Sequence, residues 1–109
     1  MTRPLHYSPE ALAQLEEPET YLIDHFGAVV ADAYLERLLQ FCEGIAADPV
    51  AGHHRDDLVP GLRTRVFEKR RIVCFLMISG ELHIVAIFGT NQAWEDRLLD
   101  DPPTFSTSR

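Results

Sequence analysis

Ile72-Val73-Cys74-Phe75-Leu76-Met77-Ile78-Ser79-Gly80-Glu81-Leu82-His83-Ile84-Val85-Ala86-Ile87-Phe88 decides the fold. Two runs of β-forming residues flank a Ser-Gly pair, and a two-residue hairpin turn needs the positive backbone angles that glycine adopts freely. The runs therefore read as antiparallel neighbours. Ile72, Cys74, Leu76 and Ile78 point to one face, Val73, Phe75 and Met77 to the other. An antiparallel sheet with one face in water alternates polar and apolar residues, so both faces here need cover. One pair of helices shelters one face only. The other is left to the C-terminal segment, a second copy of the chain or a partner protein. On this pattern Val73, Phe75, Met77, Val85 and Ile87 are the candidate partner-binding residues.

Upstream, Leu62-Arg63-Thr64-Arg65-Val66-Phe67 alternates with period two and reads as a strand, joined to the hairpin by a charged Glu68-Lys69-Arg70 turn. Residues 49–62, with Pro49, Gly52, His53, His54, Asp56, Asp57, Pro60 and Gly61, read as loop. Before them Leu35, Leu38, Leu39, Cys42, Ile45 and Ala46 mark the apolar stripe of a helix running from about Ala28 to Ala47. Asp48-Pro49 ends it, because a residue before proline is pushed out of the helical region. Ser8-Pro9-Glu10 opens an earlier helix that carries Leu12, Leu15, Leu22 and Phe26. Pro18 lies inside that run, where a lost amide donor costs about 3 kcal/mol, so the spacing predicts a kink or two short helices meeting at Glu17-Pro18. Gly27 then turns the chain into a helix hairpin. Leu5-His6-Tyr7 is long enough for an edge strand. Gly89-Thr90-Asn91-Gln92 closes the sheet, Ala93 to Leu99 suits a short helix, and Asp101 to Arg109 reads as a tail. The fold class is α+β: N-terminal edge strand, helix hairpin, three-stranded antiparallel meander, and a short C-terminal helix or tail.

A chain of 109 residues holds one core. The first residues carry no apolar run, and no segment reaches the ~20 apolar residues that span a bilayer. The expectation is a cytoplasmic protein with no membrane association. Cys42 and Cys74 have no CxxC spacing and read as reduced core residues. The net charge of −7 is uneven: Arg63, Arg65, Lys69, Arg70 and Arg71 are half of the ten basic residues. The whole field repels polyanions while one stretch attracts acids, which argues against direct sequence-specific nucleic-acid binding. Arg63, Arg65, Arg70, Arg71 and Trp94 are the candidate contacts for a target or an acidic partner. The charged stretch reads equally well as a solvated edge that discourages strand addition. Trp94 reads first as an anchor of the C-terminal segment.

Taken in order, these segments resemble the ParE/RelE toxin family, and the ParE branch most. Tyr7-Ser8-Pro9 and the helix ending in Phe26-Gly27 resemble its opening. Ala33-Tyr34-Leu35 through Ile45-Ala46-Ala47-Asp48-Pro49-Val50-Ala51-Gly52 is similar to its second helix and Pro-x-x-Gly exit. Asp57-Leu58-Val59-Pro60-Gly61-Leu62-Arg63 resembles its loop into the second strand, and Arg71-Ile72-Val73-Cys74-Phe75 its third. The resemblance covers about residues 5–90 and makes 1–92 a toxin-like domain, with 93–109 a C-terminal segment and tail. Arg71 stands where ParE proteins commonly carry a His, and Ala86-Ile87-Phe88-Gly89 where they often have an Arg followed by Leu-His.

The resemblance implies a toxin of a type II toxin–antitoxin module, held by a ParD-like antitoxin whose C-terminal part wraps it. RelE-like members cleave messenger RNA on the ribosome; ParE-like members stall DNA gyrase on cut DNA. Cleavage needs a group to activate the 2′-hydroxyl, one to protonate the leaving oxygen, and cations for the developing charge. Arg63, Arg65 and Arg71 supply cations. Beyond Gly89, where RelE-like enzymes carry basic residues and a Tyr, stand Thr90, Asn91, Gln92, Ala93, Trp94, Glu95 and Asp96, and all three tyrosines lie in the first third of the chain. The reading is therefore a gyrase binder without catalytic residues, cofactor or metal. Ribosome-dependent mRNA cleavage is the alternative, and a dimeric structural module that buries its spare apolar face against its own copy is a further one. His53-His54 beside Asp56-Asp57 reads as a solvated turn, since adjacent loop residues rarely aim at one ion. His83 reads as a strand-face residue.

Overall fold

The computed structural model describes residues 4–48, 52–89 and 93–100, and side chains in the first helix outside 16–21. The elements are β1 (Leu5–Tyr7), α1 (Pro9–Phe26), α2 (Ala28–Ala47), β2 (His53–His54), β3 (Arg63–Phe67), β4 (Arg71–Ile78), β5 (Glu81–Gly89) and α3 (Trp94–Asp100). They form the expected α+β order around one mixed sheet, β1-β5-β4-β3-β2, in which β1 runs parallel to β5 and the other neighbours are antiparallel. The Ser79-Gly80 turn has positive φ at both residues, 53° and 80°, the geometry that lets a two-residue loop follow the twist of its strands. The exit motif at 49–51, the sheet-closing residues 90–92 and the tail from Asp101 lie outside the described residues. No helix among the described residues is long and apolar enough to cross a membrane.

Two expectations are corrected. His53–His54, read as loop, is a short edge strand paired with Arg63 and Thr64. Both histidines are exposed, so the strand has no buried face and no alternation to betray it. The second concerns Pro18: of the two expected forms, two short helices meeting at Glu17-Pro18 is ruled out, because α1 is a single helical element across it. Its N-terminal half is clamped to the sheet. The buried Ser8 hydroxyl accepts from the Ala11 amide at 3.0 Å, capping the helix, and donates to the Val85 carbonyl at 2.7 Å.

Below Ile84 the β5 edge is paired with β1; beyond it α1 takes over. Gln14 Oε1 accepts from the Ile87 amide at 2.6 Å, so side chains satisfy backbone groups that would otherwise be stranded in a half-buried edge. The β4–β5 register jumps from Phe75↔Ile84 to Cys74↔Ala86, leaving Val85 as a bulge. An extra residue in one strand disturbs the in-out alternation, which explains why Val85 and Ala86 pack on the same side.

The core has two layers. Ala11, Leu15, Leu38, Cys42, Ile45 and Ala46 of the helices cover Phe67, Val73, Phe75, Leu82, Ile84 and Ile87. On the other face Leu98, Trp94 and the turn residues Leu58, Val59 and Leu62 cover Cys74, Leu76, Val85, Ala86 and Phe88. The C-terminal segment is thus the cover for the second face. Arg55 ties these parts together: it forks onto Asp57 at 3.0 and 2.9 Å and reaches Glu95 at 2.6 Å. Both cysteines are free and buried, and burial raises their thiols, to about 11 for Cys42 and about 12 for Cys74.

Gly27 joins α1 to α2 at φ 92°, ψ 166°, a region essentially closed to residues with a Cβ. A Cβ there would meet nothing within 4 Å, so any penalty comes from the backbone alone. Gly27→Ala is expected to destabilise the chain by about 1–3 kcal/mol, read as a lower urea midpoint with an unchanged slope.

Candidate functional site

The structure places Val73, Phe75, Met77 and Ile87 under the helix hairpin and Val85 under α3. Val73, Phe75 and Val85 have no exposed surface. The sequence pattern identified two apolar faces correctly, but the chain shelters both.

Among the described residues, Val66 and Leu99 are each exposed by 52% at separate places, and the largest grouping of exposed apolar residues lies at the hairpin tip. Every residue from Ile23 to Val30 is exposed: Val29 by 83%, Phe26 by 61%, Val30 by 46% and Ile23 by 45%. Leu12, on α1 nearer the sheet, is exposed by 51%. Scattered exposed apolar residues are ordinary; four large ones around one turn form a patch, and patches mark interaction sites. The sequence hid this. Phe26 belongs to the spacing that reads as a core stripe, and nothing local says where a helix outruns the sheet beneath it.

The basic residues form a second surface. The β3–β4 register puts Arg63 beside Phe75, Arg65 beside Val73, and Phe67 beside Arg71, so all three arginines share the helix-side face. Arg71 Nε donates to the Tyr34 hydroxyl at 3.2 Å, the Arg37 guanidinium lies 5.7 Å from the Tyr34 ring centre, and that of Arg65 lies 5.0 Å from Phe41. Arg37 forks onto Glu68 at 2.8 and 3.3 Å, and this hydrogen bonding, with smaller help from Arg70, holds the Glu68 carboxyl below the usual range. The result is a wall of guanidinium and aromatic groups along α2 and β3, with Arg70 in the adjoining exposed turn. Trp94 is elsewhere. It sits on the opposite face, 6.4 Å from Phe88 and 5.3 Å from the Arg55 guanidinium.

Two other sites are small. A cleft of about 200 Å³ between α1, β5 and α3 is lined by Glu10, Gln14, Val85, Phe88 and Arg97. That is under the roughly 300–1,000 Å³ of small-molecule pockets and suits a single inserted side chain. At the β1–β5 edge the rings of His6 and His83 stack with centroids 4.7 Å apart, and Glu81 lies 2.7 Å from His6 Nε2. Burial first, then the neighbouring His6, holds the His83 imidazole below its usual pKa, with Glu81 pulling the other way. Glu81 and His83 share a strand face and are visible as a pair in the sequence. The parallel pairing that adds His6 is not.

A family model described as the ParE toxin of the type II toxin–antitoxin system parDE matches residues 5–94. A chain of the chromosomal ParDE toxin–antitoxin system from P. aeruginosa superposes with a TM-score of 0.70 at 20% identity, covering 81% of this chain and 96% of that one. At that identity the likeness speaks for the fold. No curated protein matches the sequence.

Proposed function

The chain belongs to the ParE toxin family of type II toxin–antitoxin systems, and from that premise we propose that it is a cytoplasmic toxin that binds and poisons DNA gyrase without bond-making chemistry of its own and is held inactive by a ParD-like antitoxin. The observation that carries the binding part is the open apolar tip formed by Ile23, Phe26, Val29 and Val30. A groove-lining amphipathic helix from a small antitoxin would bury such a patch. The guanidinium–aromatic wall of Arg63, Arg65 and Arg71 suits carboxylates of the antitoxin or of the target. In the absence of antitoxin, two tips meeting would give a homodimer, visible by sedimentation and dispersed by added antitoxin.

Messenger-RNA cleavage on the ribosome is the second reading, and one observation favours it: the β2–β3 ladder sets His54 beside Arg63, a base next to a cation. Controlled expression in bacteria separates the two. Gyrase poisoning predicts DNA-damage filamentation with protein synthesis continuing, and purified gyrase that accumulates cleaved DNA when the chain is added. An immediate arrest of translation, abolished by His54→Ala, would replace the gyrase reading with the nuclease one.

A further inference from the structure

We propose that His6, Glu81 and His83 bind one divalent zinc-class ion, which clips the N-terminal strand to the sheet. The site is independent of the toxin reading and follows from the topology. Glu81 and His83 alternate along β5 and so face the same way; the parallel register sets His6 directly opposite His83. One ligating atom from each of the three side chains lies within 4.8 Å of the others. With metal–ligand bonds of about 2.0–2.2 Å, tetrahedral ligands stand about 3.3–3.6 Å apart. His6 and Glu81 are 48% and 43% exposed, so their side chains have room to rotate toward that spacing.

The chemistry selects the ion class. Two imidazoles and one carboxylate suit zinc, nickel and copper better than magnesium or calcium, which prefer oxygen ligands throughout. Three protein ligands leave a position for water. A chain of net charge −7 concentrates cations around it. The ion also has a physical task. β1 is only three residues long, and a bond from His6 to Glu81 closes a loop 75 residues in span. Closing a long loop removes more unfolded-state entropy than closing a short one.

Calorimetric titration of the full, metal-free chain with zinc chloride tests this. One saturable equivalent is expected, with a melting temperature that rises with zinc concentration. Losing a group that only orients a metal ligand costs up to about 100-fold in affinity, so His6→Ala and His83→Ala should each weaken binding by no less. Glu81→Gln, which keeps the shape and a hydrogen bond to His6, should weaken it too. The His53→Ala/His54→Ala double variant should bind as the parent does. Should the His83 variant fail to fold, imidazole NMR signals of the parent chain replace it: those of His6 and His83 should shift on zinc addition while those of His53 and His54 stay. Absence of saturable binding, retention of it in folded His6→Ala and Glu81→Gln chains, or its loss in the His53/His54 variant would each overturn the site.

Discussion

Phe75→Ala is expected to cost about 3–5 kcal/mol of folding free energy, the usual penalty for emptying a buried aromatic site. Against the roughly 5–15 kcal/mol that holds a domain together, this is a large share of the total. Phe75 is at the centre of the helix-side layer, on the middle strand of the sheet, with no exposed surface. The neighbours cannot easily fill the gap. Its register partners Arg63 and Ile84 are fixed by ladders on both sides. Below it the chain has been stripped to a glycine: a Cβ on Gly52 would stand 2.6 Å from the Phe75 ring. Melting should fall by about 12 °C or more, given some 4–8 °C per kcal/mol for domains near this size. The same variant separates core from contact. If Phe75 is buried scaffold, the fraction that folds should bind antitoxin with unchanged affinity. A stable Phe75→Ala chain that no longer binds would instead vindicate the apolar sheet as the partner's seat.

Most of the scaffold was legible because its signals are local. Ser8-Pro9 marks a helix start, Asp48 before Pro49 an end, and Ser79-Gly80 a turn, each through the dihedral angles those residues allow. Period two and period 3.6 did the rest. What escaped depends on distant pairings. His53–His54 becomes a strand only because β3 lies next to it, and His6 meets His83 only because β1 runs parallel to β5 across the whole chain. The candidate surface escaped for a different reason. Apolar periodicity tells which side of a helix is greasy, not whether anything lies under it. Leu38 and Cys42 of one stripe are fully buried, while Leu12 and Phe26 of another are more than half exposed. The same blindness applies to the sheet: two apolar faces were correctly inferred, but period two does not say which of them the hairpin takes, and Val73, Phe75 and Met77 lie on the one it covers.

Charging the hairpin tip should cut partner affinity while leaving the fold intact or slightly stronger. Val29 is the second residue of α2, a helix with no acid in its first turn. Phe26 is the last residue of α1. Unsatisfied amides give a helix start partial positive charge and unsatisfied carbonyls give its end partial negative charge, so an acid at the first or a base at the second adds about 0.3–1 kcal/mol. Val29→Asp and Phe26→Lys therefore put a charge into the patch at positions where the backbone welcomes it. Both side chains lie more than half in solvent, so little packing is lost. For binding the sign reverses. Burying a charge opposite an apolar helix strands it without a partner, and each substitution at a central contact should weaken the antitoxin by about 30-fold, the equivalent of 2 kcal/mol. The pair should approach but not reach the product, because residues this close share contacts and do not act independently. Urea melts of the free chain and calorimetry with the cognate antitoxin measure the two halves separately. Growth then assigns the surface. A double variant that stays toxic despite co-expressed antitoxin marks the tip as the antitoxin's seat; one that loses toxicity marks it as the face that meets the target. Unchanged affinity together with unchanged toxicity would remove the tip from both roles and return the search to the Arg63–Arg65–Arg71 wall.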